Sequence, residues 1–153
     1  MSFENVSKFE SLISNFFNCP YAVATDSCTH AIELALRLQS PKDKILIPKQ
    51  TYISIPFLAI KLGLEWDWKD EKWEDYYYIS GTNIIDAAVY WKKSGYVKNS
   101  LMCLSFQFQK HLNIGRGGLI LLDDHVLYEK LSKMVYDGRI RNVAWRDQDI
   151  KEI

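Results

Sequence analysis

The chain has 153 residues, 48% of them apolar, which is enough for one domain with a sizeable core. Nineteen basic residues cancel nineteen acidic ones, so no electrostatic footprint for nucleic acid or an anionic membrane is expected, and no apolar run reaches transmembrane length. The N-terminus lacks the basic and apolar blocks of a secretory signal, and Cys19, Cys28 and Cys103 form no CxxC pair, so a reduced, cytoplasmic setting without a zinc site is expected.

Residues 3–17 read as an amphipathic helix, with Val6, Phe9, Ile13, Phe16 and Phe17 on one face and Glu4, Lys8, Glu10 and Asn15 elsewhere. Asn18-Cys-Pro20 ends it, and Tyr21–Thr25 is a short buried strand. Asp26 or Ser27 caps a second helix with Ala31, Leu34, Ala35 and Leu38 inward. A polar turn at 40–44 leads to the strand Ile45–Pro48. Thr51 to Leu62 is expected to be helical, with Pro56 tolerated if it falls in the first turn. Gly63 stops that helix before a short strand at Leu64–Asp67.

Residues 69–75 are charged and loop-like, Tyr76–Ile79 is β-prone, and Ile84–Ala88 ends a strand on a carboxylate. Residues 92–99 form a polar connection, and Met102–Ser105 is a strand leading to Lys110. After Gly117-Gly118 comes the apolar run Leu119–Leu122. Asp123 and Asp124 then cap a final helix with Leu127, Leu131, Met134 and Val135 inward, ending at Gly138. Helices alternating with strands predict an α/β fold, a three-layer sandwich around a mostly parallel central sheet.

In open α/β sheets, ligands gather at the carboxyl ends of strands. Ser27-Cys28-Thr29 lies at a helix start, where free N–H groups and the dipole favour phosphate; simple capping is the alternative. Asp86 follows buried aliphatics and can hold a cationic ring nitrogen or cap a turn. Ser105 adds a hydroxyl to the phosphate site or is an ordinary strand serine. Lys110, between a Ser-headed strand and a Gly-rich turn, can form a Schiff base if desolvated, or sit exposed on a hairpin. Together these are the groups that pyridoxal 5′-phosphate (PLP) requires.

In these motifs the chain resembles the DegT/DnrJ/EryC1/StrS family of PLP-dependent, fold-type-I sugar aminotransferases. Ser27-Cys28-Thr29 matches the family's Ser-Gly-Thr phosphate motif with Cys for Gly. Pro48-Lys-Gln-Thr51-Tyr52 matches Pro-x-x-Thr-aromatic, which implies that Tyr52 packs near the cofactor ring. Asp86-Ala87-Ala88 matches the motif that carries the pyridine-nitrogen carboxylate. Ser105-Phe106, Lys110 and Gly117-Gly118 match the motif of the phosphate serine and Schiff-base lysine.

The resemblance spans about Phe3 to Gly138 and implies a reduced large domain at 1–140, with 141–153 as the start of a missing small domain or a tail. It also implies transfer of an amino group, with glutamate as donor, to a nucleotide-linked keto-sugar, and a homodimer. Relatives with His at the lysine position are sugar dehydratases, so Lys110 favours transamination over His111, one residue off that register.

The departures are Val89 where the family has His or Gln, His111 for Asn, and Arg116 for an acid. The stretch between Asp67 and Asn83 lacks a strand and helix that the family has there. The cluster Trp66, Trp68, Trp73, Tyr76, Tyr77 and Tyr78 fills that gap, as compensating core or dimer packing or as a stacking surface for a sugar or nucleotide. Family members are much longer and close their sites with a small domain. This chain stops at Asp149–Ile153 without a capping signal, which reads as a fragment or a naturally reduced protein. A non-catalytic remnant acting in binding or assembly is the competing function, and a flavodoxin-like module using Ser27–Thr29 for a flavin phosphate is a third.

Overall fold

A computed structural model describes residues Phe3–Gln148. Its elements in chain order are α1 (Glu4–Phe17), β1 (Tyr21–Thr25), α2 (Cys28–Gln39), β2 (Ile45–Pro48), α3 (Ser54–Lys61), β3 (Trp66–Lys69), β4 (Tyr77–Tyr78), β5 (Ile84–Asp86), β6 (Leu101–Ser105), β7 (Gly118–Leu122) and α4 (His125–Met134). A short 3-10 turn, Trp145–Asp147, falls in the expected extension beyond residue 140.

Five strands form one sheet in the order β1-β7-β6-β5-β4, and β2 pairs with β3. Leu46 and Ser80 exchange backbone hydrogen bonds of 3.0 Å each, so β2 joins the sheet beyond β4.

The α/β layering is as expected, but the pairing is not mostly parallel. Within the five-stranded sheet only β5 and β6 pair parallel; β1/β7, β6/β7 and β4/β5 are antiparallel. β7 and β4 run against the remaining strands. β7 returns from β6 through the Lys110 connection, and a hairpin can join only antiparallel neighbours. β4 is a two-residue strand in the shortened stretch, with no room for a crossover helix. The remaining strands share a direction, so their carboxyl ends lie along one edge.

The side-chain period of a strand sorts the core into two layers. Leu101, Cys103, Ile120 and Leu122 face α2, α3 and α4, together with Ile32, Leu58 and Leu131. Met102, Leu104, Leu119 and Leu121 face α1, with Ile13 and Phe17. Beside α1 an irregular aromatic layer completes this face, where Trp91 stacks on Phe16 at 4.9 Å and meets Phe17 edge-on at 5.3 Å. A fully buried residue of this size contributes about 1.5–3 kcal/mol relative to exposure.

Local differences have local causes. α3 begins at Ser54 rather than Thr51, which puts Pro56 in its first turn, where a missing N–H is harmless. β3 runs over Trp66–Lys69 rather than Leu64–Asp67, its register set by pairing with β2 from Ile45↔Trp66. Ser27 is the α2 cap, in extended conformation, accepting the His30 N–H at 3.2 Å. Asp124 caps α4, accepting the Leu127 N–H at 3.0 Å.

Glu10, expected on the polar side of α1, is instead buried. Its carboxylate accepts the Ala24 N–H of edge strand β1 at 2.8 Å and a two-pronged contact from Arg141 at 2.8 and 2.9 Å. This contact pins the segment after α4 across α1. The last residues of the expected extension, 149–153, lie outside the described residues. Among the described residues no helix is long and apolar enough to cross a membrane.

Candidate active site

The carboxyl ends of β1, β5 and β6 meet the start of β7 at one edge, and the site forms there. β1 ends at Thr25, whose hydroxyl donates to the Ser27 carbonyl at 2.8 Å, and the chain turns directly into α2. The Cys28 and Thr29 N–H groups open the helix, in the turn whose donors have no intrahelical partner. The Thr29 hydroxyl shares a 2.9 Å hydrogen bond with Ser54 of α3.

Two glycines shape this cradle from the other side. A Cβ at Gly118 would stand 2.3 Å from the Ser27 carbonyl carbon and 2.5 Å from the Cys28 nitrogen, so only glycine lets β7 press against the helix start. Gly117 adopts φ +147°, a conformation that L side chains rarely enter.

Asp86 ends β5 with 6% of its surface exposed. Its Oδ2 accepts the Tyr77 hydroxyl at 2.7 Å and its Oδ1 accepts the Ala88 N–H at 3.0 Å. The Thr51 hydroxyl bonds Tyr77 in turn. Burial pushes the Asp86 carboxyl above its ordinary range, against the opposing pull of Tyr77, the Ala88 N–H and the Lys110 charge. Burial likewise drives the Tyr77 phenol up, and the neighbouring Asp86 charge adds to the effect.

After Ser105 the chain forms a turn over Gln107–Lys110, closed by the Lys110 N–H to the Gln107 carbonyl at 2.9 Å. Phe106 is fully buried and anchors the connection, its N–H reaching the Gly117 carbonyl at 3.0 Å and its carbonyl taking the Ile114 N–H at 3.1 Å. The connection is therefore a hairpin with a tied base, and Lys110 is half-buried on it.

Ser27, Cys28, Thr29, Tyr52, Asp86, Ser105 and Lys110, all singled out in the sequence, line one cavity of about 240 Å³. Tyr52 stands at its rim, 69% exposed. The Cys28 thiol is pushed well above its ordinary range, by burial first and then by Asp86 and Cys103, with Lys110 opposing, so it packs as a neutral group. Val89 is exposed and does not line the cavity. Arg116 reaches away, to the Asp26 carboxylate at 3.2 Å and the Asp26 carbonyl at 3.3 Å.

Tyr77, Thr51 and Gln107 were not expected as site residues, although Thr51 stands in the Pro48–Tyr52 motif. Tyr77 was legible only as one of three tyrosines in an aromatic cluster. Alternation allows the middle one to face inward, but only the Tyr77↔Asp86 register puts it on the acid.

The model of the DegT/DnrJ/EryC1/StrS aminotransferase family matches residues 1–76. The N-terminal half of the chain is therefore similar to that family. The match contains Ser27–Thr29 and Tyr52; Asp86, Ser105 and Lys110 lie beyond it. Solved structures extend the likeness in fold. AtS13 from Actinomadura melliaura, 21% identical, superposes with a TM-score of 0.81 over 97% of this chain and 54% of its own. 3-Amino-5-hydroxybenzoic acid synthase, 22% identical, gives 0.76 over 96% and 50%. The sugar aminotransferase CalS13 from Micromonospora echinospora, 16% identical, gives 0.74 over 96% and 54%. The chain thus spans about half the length of the solved structures it matches. No curated protein sequence matches it.

Proposed function

We propose that the chain carries the cofactor-binding site of a PLP-dependent aminotransferase, which transfers an amino group from glutamate to a nucleotide-linked keto-sugar. The observation that carries this reading is the convergence of Lys110, Asp86 and the Ser27–Thr29 helix start on one cavity. The residues fit the group. The open N–H groups of Cys28 and Thr29 and the hydroxyls of Thr29 and Ser105 suit a phosphate, and Ser27, whose hydroxyl donates to Asp26 at 3.0 Å, would have to turn from that contact to join them. Asp86, a buried carboxylate at the cavity wall, suits a cationic ring nitrogen, and Tyr52 at the rim suits the face of the ring. When bound, PLP supplies an electrophilic carbonyl carbon and an electron-withdrawing ring. Lys110 Nζ then takes and returns the proton at the substrate's reacting carbon. Asp86 keeps the ring nitrogen protonated.

Residues 1–140 form the cofactor-binding domain on this reading, and 141–153 an extension. The three buried, unpaired cysteines are in keeping with a reducing cytoplasm. A homodimer fits the outward face of α3, where Ile53, Phe57 and Ile60 are each 60% exposed at i, i+4 and i+7. Sedimentation tests this, and a monomer at micromolar concentration overturns it.

An absorbance scan of the protein mixed with PLP, before and after borohydride, tests the function. A band fixed by borohydride in the native chain and absent from Lys110→Ala is expected, and added glutamate should convert it. No band at saturating PLP overturns the enzyme reading. The second reading, a non-catalytic remnant in binding or assembly, would then stand, supported by Val89, which is exposed and does not line the cavity.

A further inference from the structure

We propose that Tyr77 is the positioning residue of Asp86, and that the Trp73–Tyr77 stretch ties this acid to the loop that carries Tyr52. The inference rests on the functional reading above, because it takes Asp86 as the partner of a cationic ring nitrogen.

Asp86 is the last residue of a three-residue strand, so the backbone alone holds its side chain weakly. Both of its oxygens are engaged by donors: Oδ2 by the Tyr77 hydroxyl at 2.7 Å, Oδ1 by the Ala88 N–H at 3.0 Å. Two donors select the ionised carboxylate, which only accepts. Tyr77 has one hydroxyl hydrogen, and that hydrogen is used on Asp86. Thr51 is therefore the donor in the Thr51–Tyr77 contact, and the hydroxyls form a one-way relay into the acid.

The relay has a rigid base. Tyr77 is 4% exposed, and the Trp73 ring lies 4.9 Å from its own. The Trp73 indole N–H donates to the Gln50 carbonyl at 2.7 Å. Gln50 and Thr51 immediately precede Tyr52, so one aromatic pair grips both the acid and the rim of the cavity. The aromatic residues in the shortened stretch thereby acquire a task beyond packing.

The other groups that act on Asp86 are the thiols of Cys28 on α2 and Cys103 on β6, and the Lys110 ammonium on the hairpin. The thiols are neutral. Without Tyr77, the Ala88 N–H and Lys110 alone would favour the anion.

Infrared-monitored pH titration of the ligand-free protein tests the proposal, with Asp86→Asn assigning the carboxyl band. In Tyr77→Phe, which keeps the ring, the Asp86 midpoint should rise by about one pH unit. PLP affinity should fall about tenfold, measured by equilibrium binding. A midpoint unmoved in folded Tyr77→Phe makes Tyr77 a packing residue and overturns the proposal. If Tyr77→Phe does not fold, Thr51→Val, which removes only the far donor, should raise the midpoint by less, and no rise overturns the proposal. Failure of the native protein to bind PLP overturns the functional reading separately, because the titration needs no cofactor.

Discussion

Gly118→Ala is the smallest perturbation that reaches fold and site together. The added carbon would stand 2.3, 2.4 and 2.5 Å from the Ser27 carbonyl carbon and oxygen and the Cys28 nitrogen. Ordinary contacts lie at 3.4–4 Å, so β7 and the α2 start must part by about 1 Å. All three atoms are backbone, and no side-chain rotation relieves the overlap. Overpacking of this kind destabilises by about 1–3 kcal/mol, and backbone on both sides puts this case at the upper end. That corresponds to roughly 4–8 °C per kcal/mol at the low end of the size range and about half that near 150 residues. The same separation displaces the Cys28 and Thr29 N–H groups, so PLP affinity should fall by about tenfold or more on the proposed function. Thermal unfolding and equilibrium PLP binding on one preparation provide the assay. Gly117→Ala is the control. Its nearest neighbours are the Ile114 and Phe106 side chains at 3.3 and 3.5 Å, so its penalty comes from backbone conformation rather than from the cradle. An unchanged unfolding temperature in Gly118→Ala would refute the close-approach reasoning.

The Glu10–Arg141 contact provides a stability test away from the cavity. Side chains 8% and 15% exposed are joined there, and Arg141→Ala leaves the carboxylate with the Ala24 N–H, which should lose about 3–5 kcal/mol in urea unfolding. A loss below about 1 kcal/mol would show that the segment after α4 is only loosely applied. Asp86→Asn tests the buried acid through pH. The folded carboxyl holds its proton more tightly than the unfolded chain, so the folded state carries more protons between the ordinary range near 3.9 and the raised native value. Stability from this group falls as pH rises through that window, and the penalty is complete above it. The melting temperature of Asp86→Asn relative to the native protein should therefore climb with pH in ligand-free samples, and a difference independent of pH contradicts the assignment.

Much of the layout was legible because it is local. β1 and β2 match the expected strands residue for residue, since apolar runs bounded by Pro20, Asp26 and Pro48 leave little freedom. The site motifs were legible because strand ends and helix starts announce themselves in Ser, Thr, Asp and Gly. What escaped notice depends on partners distant in sequence. The reversed directions of β4 and β7 follow from which strand each lies beside. Glu10 looked like surface because Arg141, which neutralises it, lies 131 residues away. Trp91 lies between the expected strand at 84–88 and the expected connection at 92–99, and its role appears only when Phe16 stacks on it and Phe17 meets it edge-on. Tyr77 needed the register of β4 to separate it from its neighbours.

The balance between stability and site bears on the choice between an enzyme and a remnant. Asp86 is buried with its carboxyl pushed up, so its ionised form opposes folding. Asn at this position keeps the size and one acceptor, and the neutral side chain removes the penalty. A chain shaped only for packing gains nothing from the carboxylate, nor from a tyrosine and a threonine arranged to hold it ionised. Gly118, the first residue of β7, adds to this, because any side chain there would meet the Ser27 and Cys28 backbone, and the approach brings β7 onto the helix start that lines the cavity. A close backbone approach and a buried carboxyl that converge on one cavity, beside a half-buried lysine, are in keeping with the proposed cofactor site. The remnant reading must treat these features as inherited and kept despite their cost. On the proposed function, one ligand with a phosphate, a cationic ring nitrogen and a carbonyl carbon gives the helix start, the acid and the lysine a common use.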